Sequence, residues 1–142
     1  MSRIGFIGLG SQGGPMAQRI ADAGLPLTVW ARRPEALADY SAKGAVAASS
    51  VAELGAQCSH VGICVVDDAG VLAICAELIP AMPAGSLLAI HSTVLPETCI
   101  ALAPPCAARG IDLADAPVSG GPPGAAAGTL TVACGGSHAA PA

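Results

Sequence analysis

The sequence predicts an α/β fold, a doubly wound and mainly parallel sheet with helices on both faces. Three observations carry this. Short apolar, β-branched runs alternate with longer helical stretches along the chain, the order that builds parallel sheets. Apolar residues make up 53% of the 142 residues and charged residues only 11%, the composition of a packed domain rather than a disordered chain. Aromatic residues are confined to Phe6, Trp30 and Tyr40. Ala, Val, Leu and Ile must then fill the core, as in buried parallel strands flanked by alanine-rich helices. One domain fits this length.

The elements follow in order. Arg3-Ile4-Gly5-Phe6-Ile7 reads as a strand, and a glycine loop opens a helix to about Gly24 with Met16, Ile20 and Ala23 on one face. Leu27 to Trp30 is the second strand. Pro34 suits the first turn of a helix, where its missing N–H costs nothing; that helix runs through Leu37 and Tyr40 to Gly44. Ala45 to Ala47 is a brief strand, and Ser49 or Ser50 caps the next helix, with Glu53 placed for a capping box from Ser50. His60 to Val66 is continuous and apolar, as a central strand should be. A helix from Val71 to Ile79 ends at Pro80, and Ser86 to Ile90 is a fifth strand. Glu97 to Ala108 reads as a helix begun at Pro96, although Pro104 and Pro105 oppose its continuity. Ile111 to Ala114 is a sixth strand. The Gly/Pro/Ala segment from Pro117 to Gly128 gives way to a last strand at Leu130 to Ala133, and Gly135 to Ala142 reads as an unstructured tail. The expected division is a domain over 1–135 and a tail over 136–142.

Composition excludes several partners. The net charge of −4 opposes a nucleic-acid surface, which needs clustered basic residues. No apolar run reaches the roughly 20 residues that cross a bilayer. Met1-Ser2-Arg3 leads straight into a strand, without the features of a signal peptide, so a cytoplasmic protein with no membrane partner is expected. Cys58, Cys64, Cys75, Cys99, Cys106 and Cys134 form no CxxC pair and sit mostly in apolar runs. They read as small buried hydrophobes, with no metal site expected.

Gly8, Gly10 and Gly13, within Gly8-Leu9-Gly10-Ser11-Gln12-Gly13, satisfy the G-x-G-x-x-G spacing. The spacing alone is a weak signal in a chain with 18 glycines. Its place, directly after a strand and directly before a helix, makes it a Rossmann-type dinucleotide fingerprint. The first glycine permits the turn, the second admits the pyrophosphate, and the third lets helix pack on strand. The helix N-terminus then presents free N–H groups to the phosphates. An NAD site places Asp or Glu at the end of the second strand. Here that strand ends Val29-Trp30-Ala31 and continues Arg32-Arg33. A guanidinium binds the 2′-phosphate bidentately, so NADP is the expected cofactor, with NAD also admissible.

The stretch from Asp115 to Leu130 is the most distinctive. Ser119, Gly120 and Gly121 offer a hydroxyl and successive backbone N–H groups, suited to a carboxylate. Together with Gly5-Phe6-Ile7-Gly8-Leu9-Gly10, this stretch resembles the β-hydroxyacid dehydrogenase family, which includes the 3-hydroxyisobutyrate and 6-phosphogluconate dehydrogenases. The family pattern D-x-P-V-S-G-G-x-x-G-A-x-x-G-T-L is met at every specified position. The resemblance covers essentially the whole chain, as the family's N-terminal cofactor domain.

The resemblance implies that Ser119, Gly120 and Gly121 hold the carboxylate of a small-molecule substrate. It places Thr93 at the nicotinamide ribose, and Val65 and Val66 along the cofactor through their backbone. Gln12 replaces the usual Met, Ile90 the usual acidic residue, and Ala31 the usual Asn. His91 is left open between a pocket residue and a plain strand-end histidine.

Family catalysis uses a lysine on a long helix of a second, helical domain. The only lysine here is Lys43, which reads as solvated surface. The expectation is a cofactor domain that binds NADP(H), turns nothing over alone, and self-associates through an exposed docking surface. The competing readings are a stand-alone dinucleotide-binding or redox-sensing module, and imine reduction, which dispenses with the lysine.

Overall fold

The computed structural model describes residues 3–136. β1 (Ile4–Ile7) leads through the glycine loop into α1 (Gly13–Asp22) and then β2 (Leu27–Trp30). A 3-10 turn at Pro34–Leu37 runs into the short α2 (Ala38–Ser41), followed by β3 (Val46–Ala47), α3 (Val51–Gln57) and β4 (His60–Ile63). The alternation continues with α4 (Asp68–Leu78), β5 (Leu87–Ile90), α5 (Pro96–Ala108) and β6 (Asp112–Asp115). Last come β7 (Val118–Ser119), α6 (Gly121–Ala127), β8 (Thr131–Val132) and β9 (Gly135–Gly136).

The main sheet has the order β3-β2-β1-β4-β5-β6-β9 and is parallel except for β9. Strands β1 to β3 are laid outward from β1. The chain then crosses back through α3 and places β4 on the other side of β1. That reversal opens a crevice at the carboxyl ends of β1 and β4, where doubly wound sheets bind ligands. Alternation along β1 sends Phe6 to one face and Ile7 to the other. Phe6 joins Leu27, Val29, Ala17 and Tyr40 beneath α1 and α2. Ile7 joins Val61, Ile63, Leu88, Ile90 and the inner sides of α3, α4 and α5.

Local chemistry explains most boundaries. The Ser50 hydroxyl accepts the Glu53 N–H at 3.0 Å, as expected of the cap. The Glu53 carboxylate reaches back to the N–H of Ser49 at 2.6 Å rather than to that of Ser50, so the box closes one residue early. α4 begins at Asp68, three residues ahead of the expected start. The cause is Asp67, whose carboxylate accepts the Gly70 N–H at 2.8 Å.

Three expectations need correction. The Pro117 to Gly128 segment contains a helix, α6, because Pro122 and Pro123 occupy a first turn that needs no N–H from them. The strand within Leu130 to Ala133 pairs with β7 in a separate two-stranded ribbon, Val118 opposite Val132 and Ser119 opposite Thr131. Gly135 and Gly136 are not tail: they pair antiparallel with Asp115 and Ala114 at the sheet's edge. The rest of the expected tail, 137–142, lies outside the described residues. Among the described residues no helix is long and apolar enough to cross a membrane.

Candidate functional site

The glycine loop is held by contacts that only glycine permits. Gly8 has φ +100°, and a Cβ there would lie 2.1 Å from the Cys64 carbonyl oxygen. A Cβ on Gly13 would lie 2.0 Å from the Gly8 carbonyl oxygen. These two glycines bring the loop down onto the end of β4 and α1 down onto the loop. Gly10 differs, because nothing lies within 4 Å of its Cβ position. The open side of the loop is therefore at Gly10, in front of the start of α1, whose Gly14 N–H is already taken by the Gly10 carbonyl at 2.8 Å. Ser11 is exposed there and Leu9 half-buried. Gln12 caps α1 by position only, and its buried Nε2 has no hydrogen-bond partner among the described residues.

Hydrogen bonds join this loop to the ends of the neighbouring strands. The Gly8 N–H donates to the Trp30 carbonyl at 3.4 Å, and the Cys64 N–H to the Ile7 carbonyl at 2.9 Å. Ala31, Arg32 and Arg33 follow Trp30 directly. Both guanidiniums are exposed, and neither takes part in an ion pair or side-chain hydrogen bond among the described residues. The Val65 N–H donates to the Ser92 hydroxyl at 2.8 Å, while Val66 is 97% exposed. Ser92 is buried and Thr93, next to it, is exposed on the rim.

His91 carries this order on to β6. Its Nδ1 pairs with the Ala116 carbonyl at 2.9 Å, so Nδ1 carries the proton, and its ring stacks on Phe6 with centroids 6.2 Å apart. Burial holds its pKa below the ordinary imidazole value, against the Ala116 bond, which raises it. It is a half-buried strand-end histidine that fastens the start of the Pro117 to Ser119 strip. Ser119 itself is exposed. Gly120 and Gly121 follow with φ +127° and +61°, a turn that L side chains resist.

The glycine loop, Arg32, Val65 and Thr93 thus follow the carboxyl ends of β1, β2, β4 and β5, neighbours in the parallel sheet, and the Ser119 strip follows β6. Lys43 is elsewhere, paired with Asp22 of α1 at 3.0 Å. A cleft of about 440 Å³ flanks the loop on the α1 side, lined by Leu9, Gly10, Arg19, Tyr40 and Ala126 among others. Its lining includes none of Arg32, Thr93 or Ser119. The sequence reading missed Asp68, whose carboxylate accepts the Leu95 N–H at 2.9 Å and the Thr98 hydroxyl. The Asp67-Asp68 pair just after a strand was the available signal, since aspartate favours helix starts. All six cysteines are free.

The open Gly10 face, the unpaired arginines and the strand-end reversal define a nucleotide-binding α/β domain, and the residues present fit a dinucleotide. Comparison with known proteins gives the family. Residues 3–142 match the family model described as the NAD binding domain of 6-phosphogluconate dehydrogenase, and the chain belongs to that family. It is 43% identical over 136 residues to an uncharacterised oxidoreductase of Mycobacterium tuberculosis, covering 94% of this chain and 46% of that protein. It is 39% identical over 147 residues to a 3-hydroxyisobutyrate dehydrogenase of Pseudomonas aeruginosa, covering 96% of this chain and 47% of that protein. Among solved structures, one of Psf3 in complex with NADP+ and 2-OPP superposes with a TM-score of 0.90 at 30% identity, covering 95% of this chain and 49% of that one. The chain therefore spans about half the length of the curated relatives it matches. It is an NAD(P)-binding domain of the β-hydroxyacid dehydrogenase type of oxidoreductase.

Proposed function

We propose that this chain is the NADP(H)-binding half of an enzyme that moves hydride between NADP and a small β-hydroxyacid. The observation that carries the cofactor choice is the pair Arg32-Arg33 at the end of β2, exposed and unpaired among the described residues, where a carboxylate would select NAD. Arg32 forks onto the 2′-phosphate, and Arg33 adds positive charge beside it. The amides from Gly10 to Gly13 take the pyrophosphate. Val65 and Val66 line the cofactor and Thr93 takes the nicotinamide ribose. When bound, NADP(H) supplies the hydride.

The Ser119 hydroxyl and the N–H groups of Gly120 and Gly121 donate to the substrate carboxylate, in keeping with the acid named in the Pseudomonas relative. In this reading the cofactor unit runs through Gly136, the last paired residue of the sheet. In the family this chain resembles, the lysine that moves the proton at the substrate oxygen belongs to a helical half, and the residues here supply the cofactor and carboxylate contacts.

Titration of NADPH and NADH by nucleotide fluorescence tests this. NADPH is expected to bind tighter than NADH. Arg32→Ala should weaken NADPH about tenfold or more, the loss of a bidentate charged contact, and leave NADH unchanged. Equal affinities in the unsubstituted chain would overturn the arginine assignment.

A further inference from the structure

We propose that Asp68 is a positioning residue for the nicotinamide half of the cofactor site, acting through the loop that carries Thr93. This rests on the cofactor reading above. The loop between β5 and α5 has little packing to fix it: Thr93 is exposed and Leu95 is 63% exposed, and Val94 alone of the three packs partly inward. What holds it is polar, and it comes from the loop after β4 and the first residue of α4. On one side of Thr93, the buried Ser92 hydroxyl accepts the Val65 N–H at 2.8 Å. On the other side, Asp68 Oδ2 accepts the Leu95 N–H at 2.9 Å and also the Thr98 hydroxyl.

Thr93 is therefore suspended between two fastened residues, and both fastenings reach across to the segment containing Val65 and Val66. The two loops that would meet the nicotinamide half form one unit. The Thr98 hydroxyl and the Leu95 amide hold the Asp68 carboxyl below the usual carboxylate range, so the fastening carries its full charge at neutral pH. Fixing a binding loop in advance removes the ordering cost from the binding step.

A bland alternative is that Asp68 only caps α5 and contributes to stability. The two roles separate when the ligand is divided. NADPH meets both halves of the site, whereas 2′,5′-ADP meets only the adenosine half at Arg32. Asp68→Ala is expected to weaken NADPH about three- to tenfold, the ordering cost of one loop residue, and to leave 2′,5′-ADP within twofold. Asp68→Asn keeps the volume and one acceptor oxygen. It carries the same test if the alanine variant does not fold, with an expected loss for NADPH of about twofold or more.

Equal losses for both ligands, or no loss for either, would overturn the positioning role. The unsubstituted chain serves as the separate check on the cofactor reading. If it binds neither NADPH nor NADH, that reading fails and this one with it. If it binds both ligands and Asp68→Ala changes neither, only the positioning role fails.

Discussion

Gly8 and Gly13 fold the loop, while Gly10 leaves it open, and the three should answer substitution differently. Gly13→Ala drives a Cβ to 2.0 Å from the Gly8 carbonyl, which backbone cannot relieve cheaply. A loss on the order of 4 kcal/mol of stability is expected, read as a large fall in Tm. Gly10→Ala adds a methyl to empty space, so Tm should stay unchanged or rise slightly. Its dinucleotide affinity should nonetheless fall more than tenfold in the same titration. A Gly10→Ala variant that still binds normally would mean that the phosphates do not approach there. At this scale the sequence was legible for Gly8 and Gly13, because spacing plus context pointed to a tight turn and a close approach, and both are found. His91 was not legible: its role depends on the carbonyl of Ala116, 25 residues away, and no local pattern announces that bond.

At the scale of elements, strands and caps were readable where chemistry is local. Leu27 to Trp30 was found as expected, and of the two candidate caps, Ser49 and Ser50, the helix uses Ser50. Helices were harder where composition misled. α5 continues through Pro104 and Pro105, which the sequence set against it. The reason is where the prolines point. Pro104 and Pro105 are exposed, as are Ile100 and Ala101, whose carbonyls lose their helical donors and turn to water. Leu102 and Cys106, on the buried side, keep the helix docked. Replacing both prolines by alanine should restore two donors and raise stability by about 4 kcal/mol, propensity gained less chain entropy lost. Thermal melting would show it, and an unchanged or lower Tm would mean that the prolines set a bend the packing needs. α6 escaped notice for the opposite cause, since a segment of Gly, Pro and Ala carries no hydrophobic period to read.

For the whole molecule, the order of strands does what no single motif does. It takes residues as far apart as Gly8, Arg32 and Thr93 and sets each just past the carboxyl end of a strand on the same edge of the sheet. Alternation of strand and helix foretold the parallel sheet, but not the reversal of β9 or the separate ribbon of β7 and β8. Two-residue strands have too few side chains to show a pattern, and their pairing is decided by distant backbone. The same layering seals Cys58, Cys75 and Cys106 beneath α3, α4 and α5, where burial pushes the Cys75 thiol up to about 12 and that of Cys106 to about 11. Cys134, by contrast, is exposed. The protein thus contains its own clock of opening. A thiol reagent at neutral pH should mark Cys134 at once and reach the three buried sulfurs only as often as the helical layer lifts from the sheet. Site-resolved labelling by mass spectrometry would read that interval directly, and a bound dinucleotide should lengthen it for the buried three while leaving Cys134 as fast as before.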